Sequence, residues 1–447
     1  MPHSPDRHPS ATPPATGRRH AHAQAAWLGA ALALSCAAHG ESLSDAWSMA
    51  LAANPSFAAV HSEREAAESE RDAAVRQRLP ALDLSATYTE LERAPLFQVN
   101  TPAGQLQAPI WNRNGYAMAG ADLSLPVWTS GRISSSIAAA TAGARGAGAQ
   151  EARGSADLKL AVTEAYVAVF RARRALAVAE SDAASLAAHA ADVQAMYDKQ
   201  TAARADLLGA QVAAANAEQR RLRTANAVSL AVAGYNRWVG QPLDRAPDLD
   251  EPKPSAAAVG RSREELLSAA LDHRPELEAL DAEHTGLVES ARAERARSLP
   301  QVALHAGYNH IDNVILDRQN FASIGIGFQW RLFDSGQQQA RTNALRSRAR
   351  AAESRLEDLR SAVRLEVETA IYNRDEASAR IRVAAGAVAQ AEENVRVARE
   401  LYANGLGTNN QVLDAESLRV MALTNRDDAN FDLLLAQYRL QRAIGEL

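Results

Sequence analysis

Only one cysteine, Cys36, occurs in the 447 residues. A lone thiol gives no intramolecular disulfide framework and no cysteine metal cluster. Aromatic residues are only 5% of the chain against 47% hydrophobic, much of it Ala. That balance favours long helices packed side by side over a thick globular core. No charge dominates: the formal net charge is −5, with no basic run or aromatic-basic patch, so nucleic acid is not expected as a partner. The apolar run Ala25–Ala38 is too short to cross a bilayer as a helix. Beyond residue 40 the histidines stand at 61, 189, 273, 284, 305 and 310, none with metal-ligand spacing on a helix face. His305 and His310 fall on opposite faces of a strand, which argues against a shared metal. No nucleophile–base constellation appears, so neither catalysis, cofactor nor metal is expected.

What is present begins with export. Arg18 and Arg19 precede the apolar run, and Ala38-His39-Gly40 places small residues at the cleavage positions. Residues 1–40 read as a signal peptide, whose loss removes three Arg and one Asp and leaves a net charge of −7. Leu34-Ser35-Cys36 loosely resembles a lipoprotein site, making Cys36 a candidate for lipidation.

The remainder repeats itself. Asn54-Pro55 and Leu79-Pro80 recur 220 residues later as Arg274-Pro275 and Leu299-Pro300. Ser130-Gly131, Tyr197 and Gly240 recur 205 later as Ser335-Gly336, Tyr402 and Gly445. Two internal repeats are expected, 41–248 and 262–447, joined by the Pro- and Asp-rich linker 249–261.

Proline is absent from 127–241 and from 301 to the end. A proline costs about 3 kcal/mol inside a helix, so its absence permits very long ones. Each stretch is interrupted once, near Gln200 and near Asn404-Gly405-Leu406-Gly407, which predicts helical hairpins over about 132–240 and 337–445. Val388, Ala391, Val395, Ala398 and Tyr402 alternate by three and four, the spacing of a coiled-coil seam. Gly143, Gly146, Gly148 and Gly154 interrupt the first long arm.

Before each hairpin the period changes to two. Runs at about 81–90, 119–128, 301–310 and 321–333 alternate apolar with polar or small residues, clearest in Ala322, Ile324, Ile326, Phe328, Trp330 and Leu332. Their length suits an outer-membrane crossing. Four strands cannot close a barrel, and open edges are not tolerated in lipid, so several subunits must share one. Segments 91–114 and 311–320 are then outer loops, with Trp111, Trp128 and Trp330 as candidate interface residues.

The order of these landmarks resembles the TolC family of outer-membrane efflux proteins. The resemblance rests on Glu41-Ser-Leu-Ser-Asp-Ala-Trp, Asn54-Pro55, Leu79-Pro80, both Ser-Gly pairs and the tip Leu401–Ala415. It implies a mixed α/β membrane protein, mostly α. A homotrimer would share a twelve-stranded β-barrel in the outer-membrane lipid of a Gram-negative cell, and its helices would form an α-barrel through the periplasm. It implies a passive exit duct of a tripartite efflux or type I secretion system, fed by a periplasmic adaptor and an inner-membrane pump of RND, ABC or MFS type. Small-molecule or drug efflux is the expected cargo class, with heavy-metal efflux or protein secretion as alternatives.

The family also implies a periplasmic entrance narrowed by acids at the start of the second returning helix. The matching positions are Gln411 and Asp414, with Asp206 equivalent to Gln411 in the first half. An acid is common at the first position, so Gln411 departs from the pattern. An Arg that latches the tips in some relatives is matched by Gly407. Gly405, Gly407, Asn404 and Gln200 are the expected tip and adaptor-contact residues, and Tyr402 and Tyr197 the tip-packing ones. Asp414 is also expected to gain from the dipole of the first helical turn. A periplasmic adaptor is the reading of another class, but it would carry one hairpin between small β domains and lack the four strands; an exported hydrolase lacks its nucleophile.

Overall fold

The computed structural model describes residues 40–111, 114–255, 260–312 and 317–447. Cys36 and nearly all of the expected signal peptide lie outside these residues. The short helix α1 (Leu43–Ala53) meets α2 (Pro55–Arg76) at Asn54, whose Oδ1 accepts from the backbone N–H groups of Ser56 and Phe57. Pro55 takes the first helical position, where a missing N–H costs nothing. Then follow β1 (Ala81–Glu90), β2 (Leu96–Thr101), β3 (Gly104–Pro109) and β4 (Gly115–Trp128). The 67-residue α3 (Arg132–Asp198) and the 35-residue α4 (Arg204–Trp238) complete the first half. The second half runs α5 (Arg263–His273), α6 (Pro275–Ala296), β5 (Gln301–Ile311), β6 (Asn320–Gln329), α7 (Gln337–Ala403, again 67 residues) and α8 (Asn409–Ala443, again 35). At 1.5 Å per residue, α3 and α7 are each about 100 Å long.

Backbone punctuation matches across the halves. Positive φ angles occur at Ser130 and Ser335, Gly131 and Gly336, Gln200 and Gly405, and Gly240 and Gly445, each pair 205 residues apart.

Three expectations need adjusting. Segment 91–114 holds the β2–β3 hairpin, in which Val99 lies opposite Leu106 and Phe97 opposite Ala108. Strand β6 stops at Gln329, so Trp330 lies just beyond it and donates its indole N–H to the Ser298 carbonyl at 3.1 Å. Of the four α3 glycines, Gly146 and Gly154 allow close packing on Ala282 and Val60, while Gly143 and Gly148 face open space.

The four-stranded antiparallel sheet has the order β1-β4-β5-β6. Its register sorts the residues by face. Leu84, Ala121, Tyr308 and Ala322 lie in one cross-strand row, and Leu82, Leu123, Ala306 and Ile324 in the next. The opposite face carries rows such as Asp83, Asp122, Gly307 and Ser323. The apolar face is unpacked: Leu84, Ile324, Ile326 and Phe328 are exposed.

The longer helices pack side by side in the same order. The first part of α3 sits between α2 and α6, as shown by His61 and Arg64 on Glu151 and by Arg145 on Asp281. Its second part sits between α4 and α8, through Asp182–Arg220 and Arg171–Asp432. The partner of α7 likewise changes from α6 to α8, from Arg355–Glu283 to Arg380–Asp432. Midway, α1 buries Ala46 and Ala50 against Tyr166 of α3 and Tyr235 of α4. In the same way α5 buries Leu266 and Ala270 against Val363, Val367 and Leu440 of α7 and α8. No described helix is long and apolar enough to cross a membrane.

Candidate functional site: the hairpin tips

The α7–α8 tip is built by its turn chemistry. Gly405 ends α7 with φ +70°, where a Cβ would be strained. Asn404 caps α7, its amide donating to the Glu400 carbonyl at 2.9 Å. Gly407 has no room for a side chain: an added Cβ would lie 3.1 Å from both the Leu401 Cβ and the Gln411 Oε1.

Gln411 is turned toward the start of its own helix. Its Oε1 accepts the Thr408 N–H at 2.9 Å, while its own N–H donates to the Thr408 hydroxyl at 3.3 Å. This is a capping box, which fixes the helix start. Asp414 is exposed but lies in the second turn of α8, so the expected first-turn dipole contribution does not apply. Asp206 is the residue in a first turn, that of α4.

Tyr402 is 9% exposed, whereas Tyr197 is 37% exposed. The difference lies in the neighbours. His189 of α3 stacks edge-on against Tyr402 at 5.5 Å and shares a 2.7 Å hydrogen bond with Asn409 of α8. The Asn409 amide in turn donates to the Asp206 carbonyl at 3.2 Å, drawing in α4. The Tyr402 hydroxyl is buried without a partner, and burial, followed by the Asp206 charge, raises its pKa above the ordinary value.

Above this cluster lies another that sequence reasoning missed. Glu416 is 1% exposed. Its carboxylate receives Arg399 at 2.5 Å, Arg419 at 3.0 Å and the Ser185 hydroxyl at 2.9 Å. Ser185 and Glu416 are 231 residues apart, and a sequence offers no local signal for such a pairing. At mid-length a third cluster pins α6 to α8: Glu276 takes Arg274 at 3.2 Å and Arg442 at 2.5 Å, and Arg442 also reaches Asp157 of α3. Burial opposes the Glu276 charge, but hydrogen bonds from Arg442 and Arg274 outweigh it and hold the carboxyl at about 2. Among the described residues no group of three or more His, Cys, Asp or Glu is placed to hold a metal.

Parts of this sequence and the fold as a whole match known proteins. Residues 266–446 match the family described as outer membrane efflux protein. The chain is 27% identical over 307 residues to the alkaline protease secretion protein AprF of Pseudomonas aeruginosa, covering 66% of this chain and 62% of that protein. It is 23% identical over 292 residues to the outer membrane efflux protein BepC of Brucella suis, covering 63% and 62%. The match thus spans 62% of the length of each relative. Among solved structures, the outer-membrane channel OprN superposes with TM-score 0.77 at 17% identity, covering 91% of this chain and 90% of that one. The outer membrane protein VceC of Vibrio cholerae gives 0.77 at 18%, covering 90% and 96%. Residues 266–446 are thus similar to the outer membrane efflux protein family, and over nine-tenths of its length the chain carries the fold of solved outer-membrane channels.

Proposed function

We propose that the chain is one subunit of a homotrimeric, passive exit duct in the outer membrane of a Gram-negative cell. Its two repeats, 41–248 and 262–447 with linker 249–261, each supply two strands and one long hairpin. Three copies share a twelve-stranded barrel, and their helices make a tunnel into the periplasm. The observation that carries this reading is that the sheet and the helical layer end on the same two sides. Strand β1 and helices α2 and α4 form one edge; β6 and α7 form the other. Open strand edges beside an exposed apolar face are not stable in lipid, and four strands are too few to close. Joining β6 of one copy to β1 of the next removes every edge and seats α7 against the neighbour's α2 and α4. Exposed Leu365, Tyr372 and Val383 on α7 and Leu222 and Leu230 on α4 supply apolar surface for that seam.

The tips, with Gly405, Gly407, Asn404 and Gln200, meet a periplasmic adaptor, and an inner-membrane pump supplies energy. Asp414, exposed on α8, and Asp206 narrow the periplasmic entrance; Gln411 contributes through the helix start. The relatives' names cover both efflux and protease secretion; small-molecule efflux is proposed here. The protein should fractionate with outer membranes as a heat-modifiable, detergent-resistant trimer. A soluble monomer would end the proposal. Asp414→Ala should weaken cation blockade of single-channel current in planar bilayers, and unchanged blockade removes Asp414 from the entrance.

A further inference from the structure

The foot of the sheet carries a feature that neither the barrel wall nor the tip explains. A cavity of about 500 Å³ opens there, bounded by the ends of β4, β5 and β6 and the first turns of α3 and α7. Of its sheet residues, Pro126, Gln301, Ala303 and Gln329 stand on the polar face and Val302 on the apolar one. The cavity therefore opens mainly on the polar side, the lumen of the proposed barrel, and reaches the end of the sheet at Val302.

Three arginines line it: Arg132, Arg297 and Arg331. Arg297 is met by Glu294 at 3.2 Å, an acid also facing Arg341 at 3.7 Å. The other two have no carboxylate. The one side-chain hydrogen bond of Arg132 runs from its Nε–H to the neutral Gln301 Oε1 at 3.3 Å, and Arg331 makes no ion pair or hydrogen bond among the described residues. The adjacent acid, Asp334, is occupied by the N–H groups of Gly336 and Gln338 at 3.0 and 2.9 Å. Along the helices, by contrast, arginines such as Arg171 and Arg145 find carboxylates. The second observation is Gln338, 6% exposed, lining the same cavity with an Oε1 that has no partner. An amide can turn by 180° and present N–H donors instead. The N-terminus of α3, positive by its dipole, opens on the same space.

We infer that this cavity binds an anionic oxygen group, phosphate or carboxylate, with Arg132 and Arg331 as its charged donors and Gln338 as a neutral one. In a trimer the three cavities form a basic collar where the helical tunnel enters the barrel. The inference rests on the duct reading and deepens it: the cargo class favoured at this level is anionic. A free inorganic anion and an acidic group on a solute share this chemistry.

The test is calorimetric titration of the detergent-purified protein with inorganic pyrophosphate, with phthalate, and with the uncharged diamide of phthalate. Pyrophosphate should bind, the diamide should not, and the Arg132→Gln, Arg331→Gln double variant should lose at least about tenfold in affinity. Arg331→Lys alone should retain most of it, and each variant is checked for the trimer on unheated gels. Phthalate binding alongside pyrophosphate assigns the site to acidic solutes; pyrophosphate alone assigns it to free inorganic anions. Absence of binding by both, or equal binding by the double variant, overturns the inference. Binding in a protein that forms no bilayer channel would leave the site standing while the duct reading fell.

Discussion

At the α3–α4 tip the residue held at φ +63° is Gln200; at the α7–α8 tip the residue held at φ +70° is Gly405. The backbones agree, and the side chains around them do not. Thr408 caps α8 with a capping box, while Ala203, 205 residues earlier, gives α4 no side-chain cap. Glu416, Arg399 and Arg419 form a buried ion cluster at the second tip; Gln211, Gln194 and Ala214 stand at the corresponding places in the first. Asp414 corresponds to Gly209, and Gly407 to Ala202. One fold thus carries a tightly specified tip and a loosely specified one. The specified tip is also the one with the exposed acid proposed for the entrance.

The largest expected effect comes from removing the centre of the specified tip. Glu416→Ala would leave Arg399 and Arg419 side by side with no counter-charge; because Arg399 is 41% exposed and can turn to water, the cost falls below the about 3–5 kcal/mol of stranding a fully buried charge. Amide hydrogen exchange in the trimer should then rise through the first turns of α8 and the last turns of α7, with the start of α4 little changed. Equal loss of protection at both tips would show that they open as one unit and would break the comparison.

A smaller effect is expected at Gly407. Gly407→Ala places a methyl group 3.1 Å from the Leu401 Cβ and the Gln411 Oε1. Overpacking of this kind costs about 1–3 kcal/mol, and the Gln411 capping contact should be the first to give way. Ala202 already carries the equivalent methyl at the first tip, so Ala202→Gly should cost much less. Local exchange at Thr408 and Asn409 reads out the first substitution, and at Ala203 and Arg204 the second.

How far such differences are legible in a sequence depends on their range. The long helices follow from two proline-free stretches, and the sheet from alternation such as Leu82, Leu84, Ala86, Tyr88. Both are local patterns with a fixed period. The β2–β3 hairpin was readable in principle, since Phe97 and Val99 alternate before the Pro102–Gly104 turn, but its length and exposure match those of a loop. The tip clusters were not readable. His189 meets Asn409 across 220 residues. The seam Val388, Ala391, Val395, Ala398 and Tyr402 marks the buried face of α7, but a seam does not say which residues of which other helix lie against it. The capping bond of Gln411 depends on Thr408 opening the helix, a start that the helical period alone does not mark. The same uncertainty separates the expected first-turn position of Asp414 from its second-turn one, because helix starts are the least certain part of a sequence pattern.

The caps sharpen the comparison further. Thr408→Ala should cost the second tip about 1 kcal/mol, and Ala203→Thr should stabilise the first by a similar amount. Asp206 stands three residues after Ala203, where it can complete a capping box. Thermal midpoints of the two variants should therefore move in opposite directions.

The smallest effect is expected at Gln200, and its sign is the informative part. A non-glycine residue at φ +63° carries a backbone penalty that glycine escapes, though glycine loses more conformational freedom on folding. Gln200→Gly should stabilise the α3–α4 turn by at most about 1 kcal/mol, and Gly405→Gln should destabilise the α7–α8 turn by the same order. Nothing in the described residues holds the Gln200 side chain by a hydrogen bond; only its backbone N–H is bound, to the Tyr197 carbonyl at 2.8 Å. A loss of stability in Gln200→Gly would therefore mean that the side chain is held by something outside this chain, a neighbouring subunit or the proposed adaptor. Repeating the measurement with and without the adaptor then separates those two.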